Sequence, residues 1–147
     1  MKEIQPYLIE GDTATGKPLH LIPHKHNSFN EQWLQDMLYK YPDILPLDQI
    51  EDAFTPAIPI GREIFNIDNL FISPAGLITI VETKLWRNPE AHRTVVAQIL
   101  DYTKTLFKKS FNQLDEAVKA FMQKQYGKPK SIYETVKRMS QLSLKID

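Results

Sequence analysis

Apolar positions along this chain follow two periods, and the switches between them mark its elements. Around 28–41 they recur every three to four residues. Phe29, Trp33, Leu34, Met37, Leu38 and Tyr41 share one helical face, and Pro42 stops it. From 57 to 84 the pattern becomes strand-like. Residues 57–65 form a strand carrying Pro59 and Gly61, so it is expected at a sheet edge or with a bulge. Residues 66–72 form a second strand, Ser73-Pro74-Ala75-Gly76 a tight turn, and residues 77–84 a third strand. Three consecutive strands make an antiparallel meander. The helical period then returns at 89–107, with Ala91, Val95, Val96, Ile99, Leu100, Thr103 and Phe107 as the expected buried stripe. Two more amphipathic helices follow at 111–126 and 131–143, separated by Gly127-Lys128-Pro129. Before residue 28 the chain is irregular, with strand-like pieces at 7–9 and 19–22 that suggest a hairpin. The expected organisation is one domain: an irregular N-terminal part at 1–27, a core at 28–107 and a helical extension at 108–147.

The meander contains charges that its apolar pattern does not explain. Asp68 sits near the start of the second strand, and Glu82 and Lys84 near the end of the third. Alternation places Ile78, Ile80, Glu82 and Lys84 on one face of the third strand, and Asp68, Leu70 and Ile72 on one face of the second. With the turn at 73–76, Asp68 falls opposite Glu82. Paired residues of an antiparallel ladder project to the same side, so the three charges are expected to cluster. Two carboxylates this close repel when both are ionised, and a divalent cation such as Mg²⁺ or Mn²⁺ between them removes that cost.

Composition narrows the alternatives. The 147 residues are 42% hydrophobic and 24% charged, ordinary for a globular domain. There is no cysteine, which excludes disulfides and thiolate metal sites and fits a cytoplasmic setting. No apolar run reaches the roughly 18 residues that span a bilayer. The formal net charge of zero hides an asymmetry. Residues 1–83 carry five Lys/Arg against twelve Asp/Glu, and the remainder thirteen against six, so the two parts have charges of −7 and +7. A basic half beside an acidic cluster suits work on a polyanion, and equally suits two halves that attract each other. His20, His24 and His26 follow no strong ligand spacing and read as loop residues. Glu31 stands at the third helical position after Ser28, the form of a capping box, and also at the edge of the apolar stripe, where it could enter a site. Gln98 and Tyr102, four residues apart, form a ridge beside the stripe of their helix. No phosphate-binding glycine loop, nucleophile elbow or H-E-x-x-H occurs.

Ile67-Asp68, a short gap, Val81-Glu82-Thr83-Lys84 and then Gln98-Ile99-Leu100-Asp101-Tyr102 on the following helix resemble the PD-(D/E)XK nuclease superfamily, with Glu31 on the preceding helix. Gly61-Arg62-Glu63 and the 96–102 segment resemble an uncharacterised nuclease-domain branch. The likeness spans residues 28–107. It departs in having Ile67 rather than Pro before the aspartate, and in lacking an evident core strand after the 89–107 helix. Either the chain is then the N-terminal part of a longer protein that supplies the final strand, or a partner chain completes the sheet.

The resemblance implies an α/β (α+β) restriction-endonuclease-like core: helix, three-stranded antiparallel meander, helix. It further implies metal-dependent hydrolysis of phosphodiester bonds in DNA. Asp68, Glu82, the Thr83 carbonyl and Glu31 would hold Mg²⁺ or Mn²⁺. Lys84 would orient the attacking water or offset transition-state charge. Gln98 and Tyr102 would brace the site, and Arg62 and Arg87 would contact phosphate. The expected partners are nucleic acid and a second copy of the chain, with no membrane. The alternatives are an inactive nuclease-like module for nucleic-acid binding or protein docking, and a structural protein with a buried ion-pair network.

Overall fold

The computed structural model describes residues 7–8, 17–18, 30–84 and 91–143. The chain is α+β, and the described residues form a three-stranded antiparallel sheet and four helices. Two-residue strands β1 (Tyr7–Leu8) and β2 (Lys17–Pro18) pair as a small hairpin. The second of these lies just before the 19–22 piece expected from sequence. Helix α1 (Glu31–Lys40) follows, then 3-10 turns at Pro42–Ile44 and Asp52–Phe54. The sheet is built from β3 (Ile58–Ile64), β4 (Ile67–Ile72) and β5 (Ile78–Val81), in that order. Helices α2 (Ala91–Phe107), α3 (Phe111–Tyr126) and α4 (Ile132–Ser143) complete the described chain. Residues 108–143 contain no strand, so the core strand wanting after the second helix is not found among the described residues. No described helix is long and apolar enough to cross a membrane.

Helix α1 begins later than its apolar period suggests. Asn30, not Ser28, is the N-cap, its Oδ1 accepting the Trp33 N–H at 2.9 Å. Asn is as good a cap as Ser, and the choice moves Glu31 from the third helical position to the first. The expected capping box is therefore not the role of Glu31. Tyr41, placed on the buried stripe by its period, ends outside the helix and is exposed.

The meander matches the sequence pattern closely. β3 is an edge strand, and it carries the expected bulge: Pro59 pairs with Phe71 and Gly61 with Leu70, leaving Ile60 as the extra residue. Gly61 is needed there, because a Cβ would run into the buried Ile64 side chain. Phe65 and Asn66 both have positive φ and form the two-residue turn into β4, the signature of a primed hairpin turn. β4 is buried along its whole length, as the central strand should be. The turn into β5 closes with Gly76 N–H donating to the Ser73 carbonyl at 2.9 Å and Gly76 at φ 82°.

Both faces of the sheet are covered. Leu70, Ile72, Ile78 and Ile80 meet Leu106 of α2, Leu114, Val118 and Met122 of α3, and Ile132 of α4. Phe71 and Val81 on the opposite face meet Leu45, Leu47, Phe54 and Ala57. The core faces thus follow the alternation read from the sequence. α3 is held at its start by a Ser110–Gln113 capping box and at its end by Gly127 in the left-handed region.

Helix α2 departs from expectation. Val96, Leu100 and Phe107, assigned to the buried stripe, are 61%, 65% and 86% exposed. The helix is rotated so that Tyr102 and Leu106 face the core. Its sequence offers two adjacent apolar ridges, and periodicity alone does not choose between them.

Candidate functional site

Each acidic residue owes its place to a different element. The β4–β5 register has residue numbers summing to 150: Ile72 with Ile78, Phe71 with Thr79, Leu70 with Ile80 and Asn69 with Val81. The next pair in that register is Asp68 with Glu82. The ladder stops one step short of it, and Glu82, Thr83 and Lys84 follow β5 without strand pairing. The third strand is therefore shorter than the 77–84 read from sequence. Asp68 supplies the reason. Its Oδ2 accepts both the Thr83 N–H and the Thr83 hydroxyl, each at 2.8 Å. A side-chain carboxylate takes over the backbone donor that a ladder carbonyl would otherwise have used. Asp68 and Thr83 are 8% and 3% exposed, so these bonds are shielded from water.

Glu82 has a side chain only 1% exposed. Its Oε1 lies 2.6 Å from Lys84 Nζ, an ion pair by distance but not aligned as a hydrogen bond. Its Oε2 has no partner in strict hydrogen-bond geometry among the described residues, although the Tyr102 phenol lies near enough to this carboxylate to act on it. A buried carboxylate oxygen without a donor is costly and signals that something further belongs there. Lys84 Nζ also lies 3.9 Å from Glu31 Oε2. The Glu82 carboxylate, and more weakly those of Glu31 and Asp68, hold the Lys84 ammonium above its ordinary range against the opposing effect of burial.

Helix α2 closes the cluster with its inner ridge. Gln98 Nε2 donates to the Tyr102 hydroxyl oxygen at 3.5 Å, which leaves the phenolic proton free to point elsewhere. Burial first, and then the Glu82 and Asp68 carboxylates, push Tyr102 above its usual value, so the phenol faces the acidic pair and stays protonated. Gln98 Oε1 is a second buried acceptor without a donor among the described residues.

The structure thus gathers Glu31, Asp68, Glu82, Lys84, Gln98 and Tyr102 at one end of the sheet, with Thr83 as the partner of Asp68. It does not bring Arg62 into that group. Arg62 pairs with Asp36 of α1 and lies opposite Asn69 in the β3–β4 ladder. Arg87 lies outside the described residues, as do His20, His24 and His26. Among the described residues, no group of three or more His, Cys, Asp or Glu is disposed to hold a metal ion. In the arrangement seen, the Lys84 ammonium stands beside Glu82 and Asp68 is turned to Thr83. Asp68 and Glu82 supply two carboxylates to this end of the sheet, that of Glu82 buried and with an oxygen lacking a donor in strict hydrogen-bond geometry.

Two residues escape a reading of the pattern. Asn69 is completely buried, and its Nδ2 donates to the Gln35 carbonyl of α1 at 3.0 Å. Gln35 is buried too. Asn69 stands out as an amide beside Asp68 in a fully buried strand, which is a usable signal. Gln35 gives none, being one polar residue among several on its helix.

Compared with protein-family models, with curated proteins and with solved structures, the chain gives no match.

Proposed function

We propose that this chain is a metal-dependent nuclease with a restriction-endonuclease-like core, hydrolysing phosphodiester bonds in DNA in the cytoplasm. The observation that carries the reading is the Glu82 carboxylate. It is buried, faces Lys84, adjoins Asp68, and has one oxygen with no donor in strict hydrogen-bond geometry among the described residues. Asp68, Glu82, the Thr83 carbonyl and Glu31 would hold Mg²⁺ or Mn²⁺. Such an ion lowers the pKa of a bound water and offsets negative charge at phosphorus.

The chain's own residues do the rest. Lys84, held protonated by its carboxylate neighbours, presents a fixed positive charge to an incoming phosphate. Thr83 fixes the Asp68 carboxylate through Oδ2, which leaves Oδ1 for other partners. Tyr102 stays protonated and keeps a donor beside Glu82, while Gln98 orients the phenol by donating to its oxygen. The positive charge of residues 84–147 gives a polyanion a surface to approach.

Nicking of supercoiled plasmid and cleavage of labelled single strands, each with Mg²⁺ or Mn²⁺, test the reading. Lys84→Ala should lower the rate by about 10²- to 10³-fold, the scale for removing one charge-stabilising group. Activity equal to the unaltered chain would sink the assignment. The second reading, an inactive binding module, is favoured by one feature: Lys84 and Thr83 already engage both carboxylates without a metal. Calorimetry separates the two. Retained DNA affinity with no Mn²⁺ binding selects the module.

A further inference from the structure

The outer side of α2 carries an apolar seam that the site does not use. Val96, Leu100, Thr103 and Phe107 follow one another at intervals of four, three and four residues, the repeat of a helix–helix contact. Val96, Leu100 and Phe107 are all more than three-fifths exposed. Thr103 falls between them in the repeat; it is half-buried, and its hydroxyl donates back to the Ile99 carbonyl at 2.7 Å. The seam runs into an apolar groove of about 660 Å³ between α2, α3 and β5, lined by Phe107, Phe111, Leu106, Ile78 and Ile80. Exposed apolar surface this continuous marks a contact rather than scattered surface residues.

We propose that two copies of this chain pair through α2, antiparallel and related by a two-fold axis. Charge beside the seam selects a second copy as the occupant. An antiparallel pairing that sets Val96 against the partner's Phe107, and Leu100 against the partner's Thr103, also brings Asp101 within reach of the partner's Lys104. The two-fold axis repeats that contact, so two opposite-charge pairs flank one apolar seam. Asp101 and Lys104 are both exposed, and among the described residues neither has an ion-pair partner in its own chain. Gln98 and Tyr102 lie on the inner ridge of the same helix, so pairing leaves their contacts in place. The inference does not depend on the nuclease reading.

Sedimentation of the full chain over a range of micromolar concentrations tests it. The unaltered chain should form a dimer, and Leu100→Glu should be a monomer with an unchanged circular dichroism spectrum, since the side chain it replaces is exposed. Asp101→Lys alone and Lys104→Asp alone should each weaken the dimer about tenfold, by turning two attractive pairs repulsive. Mixing those two variants should restore the dimer, because every cross-pair is then opposite in charge. The double variant D101K/K104D should restore it as well. A chain that stays monomeric throughout, as it would if this face receives a different protein, overturns the proposal. So does a dimer that the charge reversals leave untouched.

Discussion

The two ends of the β4–β5 hairpin are built from similar strand, yet they treat their polar groups in opposite ways. At the turn end the polar groups of Ser73 are used locally. Gly76 N–H donates to the Ser73 carbonyl, Ser73 N–H to the Leu77 carbonyl, and Leu77 N–H to Ser73 Oγ at 3.3 Å. Ser73 is nearly fully buried and has its partners within four residues. At the open end, Asp68, Glu82 and Lys84 reach across elements for partners, and Glu82 Oε2 finds no donor in strict hydrogen-bond geometry among the described residues. Polar groups placed for stability close on themselves. Polar groups left with unused capacity in a buried place are where a ligand gains most.

That contrast can be broken from either end. Lys84→Ala has the largest expected effect: about 10²- to 10³-fold less cleavage, read by plasmid nicking. Asp68→Ala should lower cleavage less than Lys84→Ala does, and should cost stability by about 1–3 kcal/mol in urea unfolding, because the buried Thr83 donors lose their acceptor. At the turn end, Gly76→Ala should cost about 1 kcal/mol, since Gly76 adopts φ 82° in open space, and should leave cleavage unchanged. An effect of Gly76→Ala on rate rather than stability would erase the distinction between the two ends.

The smallest expected effect is on pH dependence. Lys84 and Tyr102 are both raised above their ordinary values of 10.5 and 10.0, so the folded state holds their protons more tightly than the unfolded chain does. Their contribution to stability is fully present below those values and lost as the pH rises past them. Urea midpoints should therefore show this pair's contribution undiminished between pH 7 and about 9, and a decline above about pH 10. Tyr102→Phe should make that decline shallower.

Much of this architecture is legible in the residues, and the reasons differ by element. The meander is readable because strand alternation has a period of two: one register places Leu70 and Ile80 on one face, Phe71 and Val81 on the other, and Asp68 beside Glu82. The bulge is readable from Pro59 and Gly61 together. The start of α1 is not, since Ser28 and Asn30 are both good caps and only the local geometry chooses Asn30. The rotation of α2 is not, because both of its ridges are apolar and the deciding contacts come from distant β-strands. The end of β5 is missed for a different reason. A carboxylate fifteen residues away competes with the ladder for the Thr83 N–H, and no local propensity records that. Arg62 shows the same limit, since its partner Asp36 sits on a helix twenty-six residues earlier.

The Asn69 amide gives the molecule a built-in gauge. It is rooted one residue from Asp68 and grips α1 at Gln35, one helical turn beyond Glu31. The spacing of the strand acid and the helix acid is therefore held by this buried hydrogen bond together with the Arg62–Asp36 ion pair. Any sliding of α1 along the sheet must break that bond before it can move Glu31. The Asn69 side-chain protons should exchange with solvent only as fast as α1 undocks, so one pair of amide resonances clocks the opening of the whole acidic cluster.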